Sequence, residues 1–314
     1  MIYQILYFYI KKCLKGISQI KKVCYIQNME FRTLRYFLMV AQEENITRAA
    51  ELLHITQPTL SRQLSELEKE LGTELFERRS HKIHLTKNGL LLKRSAQELV
   101  ELEEKTRAQF ACDTGSVTGQ ISLGCGELQS MDELLAILRE FRESYPGISI
   151  NIITGIADDI KDQMEKGLLD FALLLEPVDV SSYDFVRMKT KEKWCAFVPE
   201  DSPLAHRQVV HPQDLRSVPL ILPKRGNIKN EVINWLGCSP DTLNVAGTSN
   251  LTYNGATAAR NGLGISISVD LNCKYYGVET IPLQPPLEHG SVLAWKRGLP
   301  SSKAVERFIE FIRK

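Results

Sequence analysis

Asn45-Ile-Thr-Arg-Ala-Ala-Glu-Leu-Leu-His-Ile-Thr-Gln-Pro-Thr-Leu-Ser-Arg-Gln-Leu-Ser-Glu-Leu-Glu-Lys-Glu-Leu-Gly72 reads as two short capped helices meeting at a tight turn. Thr47 is placed to cap a first helix carrying Ala49, Ala50, Leu52 and Leu53. Thr56 is placed to cap a second, with Pro58 in its first turn, where a missing N–H costs nothing. Leu60, Leu64, Leu67 and Leu71 recur at helical spacing, which buries one stripe and leaves the opposite face free. Gln57, Thr59, Ser61, Arg62 and Ser65 lie at or near the exposed N-terminal half, and side chains of these types bond base edges and phosphates. The stretch is a helix-turn-helix.

Upstream, Leu34, Phe37, Leu38, Val40 and Ala41 predict another amphipathic helix that completes a small core. Downstream, residues 78–94 carry Arg78, Arg79, Lys82, Lys87, Lys93, Arg94, His81 and His84 and no acid, a composition suited to phosphates. Residues 75–86 alternate enough to form a short two-stranded wing with its basic tip in the turn.

Residues 31–89 closely resemble the winged helix-turn-helix of LysR-type transcriptional regulators. The likeness rests on Ala49-Ala50, Thr56-Gln-Pro-Thr-Leu-Ser-Arg-Gln-Leu64, Leu67-Glu68, Leu71-Gly72, Leu75-Phe76 and Leu85-Thr86 followed by Gly89. It implies that the helix opened by Gln57 and Pro58 enters the major groove of double-stranded DNA and that the wing around Arg78, Arg79 and Lys82 lies on the backbone. The order of elements from Glu30 onward also fits the family.

The whole chain of 314 residues, 43% hydrophobic and 25% charged, has the make-up of a globular protein of two or three domains. Five of its 39 lysines and arginines precede any acid, so residues 29–314 hold 34 basic against 38 acidic residues, a net of −4. DNA affinity must then come from a local basic patch and depend steeply on salt. Residues 1–28 read as an extension outside the fold. Their apolar run is too short to span a bilayer and precedes its lysines, unlike a secretory signal, and Met29-Glu-Phe-Arg-Thr-Leu-Arg-Tyr-Phe37 is how chains of the resembled family usually begin.

Cys13, Cys24, Cys112, Cys125, Cys195, Cys238 and Cys273 are scattered, with no C-x-x-C pair and no histidine at ligand spacing, so neither a disulfide framework nor a metal site is expected. The cytoplasm is the expected compartment. No G-x-S-x-G, P-loop, G-x-G-x-x-G or H-E-x-x-H motif is present, and neither enzymatic activity nor a cofactor is expected.

After Thr86, a good cap, residues 88–113 predict a long helix in which Leu92, Ala96, Leu99 and Leu102 or Glu103 form a heptad-like seam. Such a seam is most easily buried against a second copy. The homodimer expected would hold two recognition helices about 34 Å apart, the spacing of an inverted-repeat operator. In the resembled family such dimers pair into homotetramers, and RNA polymerase is a further candidate partner. Residues 113–119 are small and polar, a hinge.

Beyond the hinge, strands at 120–124, 149–154, 171–175, 185–188, 194–198, 220–222, 243–246, 264–269 and 291–295 are expected. Helices at 131–145, 157–168, 229–236 and 251–261 and a C-terminal one with Val305 and Phe308 alternate with them, an α/β pattern with a mostly parallel sheet. Tyr145-Pro146, Gly167-Leu-Leu-Asp170, Pro203-Leu-Ala205 and Gly262-Leu-Gly-Ile265 resemble the periplasmic-binding-protein-like, two-lobed effector domain of the same family. The expected plan is an all-α-type winged helix-turn-helix at 29–87, a linker helix at 88–113 and an α/β effector domain at 114–314. Its lobe I would be residues 118–188 and 283–314, and its lobe II residues 189–282.

Ligands of such sheets bind beyond strand C-termini, between the lobes. On that rule a small-molecule effector would meet Glu127, Leu128, Gln129 and Ser130 after the first strand, Pro199 and Asp201 at the crossover, Ser249, Asn250 and Tyr253 at a helix start, and Ser266. Hydroxyls, amides and free helix N-termini favour small anions, for which the carboxylate inducers of the resembled family are a precedent, whereas Glu127 stands where many relatives carry small or hydroxyl residues, which puts a carboxylate in doubt and admits an amine or hydroxyl-bearing ligand. The function expected is a DNA-binding regulator gated by such an effector. The alternatives are a thiol-based redox regulator and a solute-binding protein, and the second would not begin with a basic winged helix.

Overall fold

A computed structural model describes residues 29–79, 82–110, 117–298 and 301–313. The extension at 1–28, most of the hinge at 113–119, and Cys13, Cys24 and Cys112 lie outside the described residues. The chain forms two compact units that divide between Arg107 and Ala108.

In the first unit, α1 (Phe31–Glu43), α2 (Ile46–Leu52) and α3 (Gln57–Leu71) bury Leu34, Phe37, Ala49, Leu60, Leu64 and Leu67 in one cluster. Asn45, not Thr47, caps α2, accepting from the Arg48 N–H at 3.1 Å. Thr47 is an exposed residue inside the helix. Asn outranks Thr as a cap, and an Asn two residues earlier claims the position. Thr56 caps α3 as expected, Pro58 sits in its first turn, and Gly72 ends it at φ 66°, a conformation open to glycine.

Strands β1 (Phe76–Arg79) and β2 (Lys82–Leu85) pair antiparallel as the wing, from Phe76 opposite Leu85 to Arg79 opposite Lys82. Glu68 fastens it to α3 by accepting from the Leu75 and Phe76 N–H groups at 2.8 and 3.3 Å. The Ile83 N–H bonds the Glu44 carbonyl.

Helix α4 (Lys87–Phe110) opens on Thr86, whose hydroxyl accepts from the Gly89 N–H at 3.0 Å. A Cβ on Gly89 would stand 2.1 Å from the Leu75 carbonyl oxygen, so only glycine lets the helix lie this close to the wing. The residues of the expected seam divide between two sides of the helix. Ala96 is fully buried in the unit's own core and Leu92 and Val100 pack against it, while Leu91, Leu99 and Leu102 are 69, 37 and 37% exposed. At about 100° per residue Leu91 and Leu102 point away from that core, about 20° apart, and Leu99 lies on the flank between them and Leu92. Arg35 binds Glu103 at 2.6 Å and Glu104 at 3.1 Å, clasping α1 to α4. With Arg107 it holds the Glu103 carboxyl below the usual range.

The second unit has two lobes, each with a mixed sheet. Lobe I contains β3 (Gly119–Cys125), α5 (Ser130–Ser144), β4 (Ile148–Thr154), α6 (Ala157–Glu165), β5 (Phe171–Leu175) and β6 (Tyr183–Arg187). Lobe II contains β7 (Glu192–Pro199), α7 (Pro212–Leu215), β8 (Leu220–Pro223), α8 (Gly226–Leu236), β9 (Val245–Ser249), α9 (Thr252–Arg260), β10 (Ile265–Val269), β11 (Val278–Pro282) and β12 (Glu288–His289). The chain then returns to lobe I as β13 (Ser291–Lys296) and α10 (Lys303–Ile312).

Strand order is β4-β3-β5-β13-β6 in lobe I and β11-β7-β10-β8-β9 in lobe II, with β12 also on β7. β3 runs parallel to β4 and β5, and β8 parallel to β9 and β10. β13 is antiparallel to both its neighbours, and β7 to all of its partners. The sheets are thus about half parallel, because the return strands come back without a crossover helix.

The return to lobe I also comes later than residue 283. Leu283 and Leu287 pack in the lobe II core and β12 pairs with β7. Helix α6 ends at Glu165 rather than 168, β9 starts at Val245 rather than 243, and α7 and β11, too short to show a period, were not expected.

Candidate DNA-binding face and interlobe cleft

Helix α3 turns its leucines inward and leaves Gln57, Pro58, Thr59, Arg62 and Ser65 exposed and Ser61 half-buried. The Thr56 hydroxyl accepts from the Thr59 N–H at 3.4 Å and shares a 2.8 Å bond with the Thr59 hydroxyl. Arg62 Nε donates to Glu66 Oε1 at 2.9 Å from a side chain 80% exposed. An exposed pair of this kind contributes a few tenths of a kcal/mol at most, so the guanidinium is easily exchanged onto a base or phosphate. Arg78, Arg79 and Lys82 occupy the facing ends of the wing strands. Their side chains, with Ser80 and His81 between them, lie outside the described residues.

A cleft of about 310 Å³ opens between the lobes of the second unit. Its walls are the chain beyond β3 and β4, the end of β5, residues 223–226 beyond β8, Ser249 and Asn250 beyond β9, Thr252 on α9, Ser268 and Val269 on β10, and Trp194 near the start of β7. Of the expected effector residues, Glu127, Leu128, Ser249 and Asn250 are in the wall; Gln129, Ser130, Pro199, Asp201, Tyr253 and Ser266 are not.

Each displacement has a cause. β7 runs antiparallel to β10, so Pro199 and Asp201 are carried to the end away from the cleft, which the start of β7 lines instead. Ser266 is 1% exposed beneath α9, where a Cβ on Gly255 would come within 2.5 Å of its hydroxyl. Tyr253 is 61% exposed. The N–H groups of Gln129 and Ser130 are taken by the buried Glu192 carboxylate at 2.7 and 3.1 Å.

Thr252 lies in the wall within the expected stretch 249–253, but Asp158, Trp194, Lys224, Arg225 and Ser268 are additional to the expected lining. Only the pairing of distant strands brings these five there; Arg225, as the flank of the helix start beyond β8, carried the one usable signal. Arg225 donates to the Leu175 and Pro177 carbonyls at 3.0 and 2.9 Å, and Asn227 to Pro177 at 2.8 Å, so lobe II grips lobe I on this side. Burial pushes the Arg225 pKa down, opposed by Asp158.

Glu127 grips from the other direction, accepting from the Thr252 N–H at 2.5 Å. Trp194 Nε1 and His289 Nδ1 are buried without a hydrogen-bond partner among the described residues, and the two rings meet edge-on at 5.7 Å. Burial pushes the thiols of Cys125 and Cys195 up, the reverse of a reactive thiolate; Cys238 is half-buried and Cys273 exposed. Among the described residues, no three His, Cys, Asp or Glu side chains cluster closely enough to hold a metal, and no helix is long and apolar enough to cross a membrane.

A winged helix-turn-helix with a free polar recognition face, on one chain with a two-lobed α/β domain built around a cleft, defines a ligand-responsive transcription regulator. The chain belongs to the LysR family: residues 31–90 match the bacterial regulatory helix-turn-helix proteins of the lysR family and residues 114–314 the LysR substrate binding domain. It is 28% identical over 300 residues to the uncharacterized HTH-type transcriptional regulator YybE of Bacillus subtilis (strain 168), covering 90% of this chain and 98% of that one. To the Hca operon transcriptional activator HcaR of Escherichia coli (strain K12) it is 29% identical over 245 residues, 76% of this chain and 81% of that one. The crystal structure of CbnR, a LysR family transcriptional regulator, shares the fold at TM-score 0.73 and 22% identity, covering 91% of this chain and 98% of that one. The protein is therefore a DNA-binding transcriptional regulator with an effector-binding domain.

Proposed function

We propose that the protein binds an inverted-repeat operator as a homodimer and that a small polar effector in the interlobe cleft changes that binding. Gln57, Thr59, Arg62 and Ser65 read base edges, with Ser61 beside them, and Arg78, Arg79 and Lys82 hold phosphates. The copies meet along Leu91, Leu99 and Leu102 of α4, the apolar side its own core leaves exposed. In this reading its output is DNA occupancy in the cytoplasm and not a chemical product.

The observation that carries the reading is the cleft itself, spanned by hydrogen bonds from both lobes, with polar groups set in a largely apolar wall. A ligand that binds two lobe arrangements unequally shifts their balance, and only such a difference can reach the DNA-binding unit. The test is a gel shift with the gene's own upstream region, with and without candidate metabolites. Asn250→Trp, which fills the cleft from an exposed position, should keep operator binding and lose the response. A normal response in that variant refutes the effector site.

A further inference from the structure

Several helix starts line the boundary between the lobes, and a carboxylate from the opposite lobe occupies two of them. Glu192, fully buried at the start of β7, accepts from the first N–H groups around α5. Glu127, in the loop after β3, accepts from the Thr252 N–H at the start of α9. Such N–H groups lack intrahelical acceptors and carry the positive end of the helix dipole, so an anion there is stabilised.

The Glu127 contact differs from the Glu192 contact in standing in the cleft wall, beside Ser249, Asn250, Thr252 and Ser268. The Thr252 hydroxyl is itself engaged with Ser268 at 2.9 Å. An anion entering the cleft would find the helix start already filled and a negative charge beside it. Arg225 is committed to the carbonyls of Leu175 and Pro177, and Lys224, an exposed residue, is the other cation of the wall.

We propose that Glu127 is a built-in substitute for an anionic ligand: its carboxylate fills the α9 start and ties lobe I to lobe II when no effector is present. An effector then engages the cleft through a protonated amine offered to Glu127, and a carboxylate effector is kept from the α9 start. Drawing the carboxylate toward an ammonium group weakens its hold on Thr252, so occupancy and interlobe contact are linked. The inference rests on the cleft being the effector site.

The experiment uses the full chain and two probe pairs. Glu127→Ala vacates the helix start. Its melting temperature should fall, and sodium acetate should restore about 2 to 4 °C relative to sodium chloride at equal ionic strength, while the wild type shows no acetate-specific change. Glu127→Gln keeps a side-chain oxygen at the helix start and should not respond to acetate. Glu127→Ser repeats the acetate arm if the alanine variant does not fold.

Ligand-observed NMR with cyclohexylammonium and cyclohexanecarboxylate then reads selectivity. Relative to wild type, Glu127→Ala should bind the cation about tenfold more weakly and the anion about tenfold more tightly. No acetate rescue in the vacated variants, equal rescue in wild type, or unchanged preference between the probes overturns the proposal. The acetate arm reports only the Glu127–Thr252 contact, so it fails independently of the gel-shift test of the effector site.

Discussion

The start of the recognition helix at Gln57 and the start of α9 at Thr252 are both capped by a side-chain oxygen, but from very different distances along the chain. Thr56 reaches three residues ahead, within its own turn, whereas Glu127 reaches Thr252 across 125 residues and between two lobes. The first helix start is fixed by its own sequence, with both partners inside one turn. The second exists only while two lobes are in register, so a molecule in the cleft can replace it. Local contacts make the reader rigid; long-range contacts make the sensor responsive.

The largest expected effect tests whether the two regions fold independently. Phe37 is fully buried and meets Phe76 at 5.2 Å, and Phe37→Ala should cost about 3 to 5 kcal/mol of winged-helix stability and abolish DNA binding. All three tryptophans, Trp194, Trp235 and Trp295, lie in the second unit. Their fluorescence should therefore be unchanged while helical circular dichroism falls, and a joint change would break the comparison.

Next, Leu91→Asp with Leu102→Asp should turn a dimer into monomers in sedimentation velocity, since a charge at a buried seam has no partner. An unchanged sedimentation coefficient would move the seam elsewhere. Arg62→Ala should cost about 1 to 3 kcal/mol on the operator and far less on random DNA, with thermal stability unchanged because its pair with Glu66 is exposed. Equal losses on both DNAs would make Arg62 a phosphate contact. The smallest effect sharpens the account of the local cap: Thr56→Ala should lower stability by about 1 kcal/mol in urea titrations, and no change would remove the hydroxyl from that account.

The winged helix was legible because its determinants are neighbours in the chain: Thr56, Pro58 and the Leu60, Leu64, Leu67 stripe settle α3 among themselves. Even there, Asn45 and Thr47 competed for one cap, and spacing alone could not say that Leu92 and Ala96 face their own core. The cleft was legible only where the chain leaves a parallel strand, at Glu127 and Leu128 and at Ser249 and Asn250. Strand polarity decided the rest. Pro199 and Asp201 follow a strand as plainly as Ser249 does, but β7 is antiparallel, and nothing local to it records the direction of its neighbours. Glu192, far from Gln129 in sequence, gave no sign that it would take the N–H groups expected to meet a ligand.

Lobe II is spliced into lobe I, since β13 returns between β5 and β6 only after β12 has paired with β7. On the ribosome this imposes a timetable. Lobe II can assemble from one continuous run of chain, but β5, the run Phe-Ala-Leu-Leu-Leu, has no partner on one side until Ser291–Lys296 has been made. At about 5 to 20 residues per second, that apolar edge stands open for roughly 6 to 24 s in every newly synthesised molecule, which makes β5 a segment in need of shelter during translation.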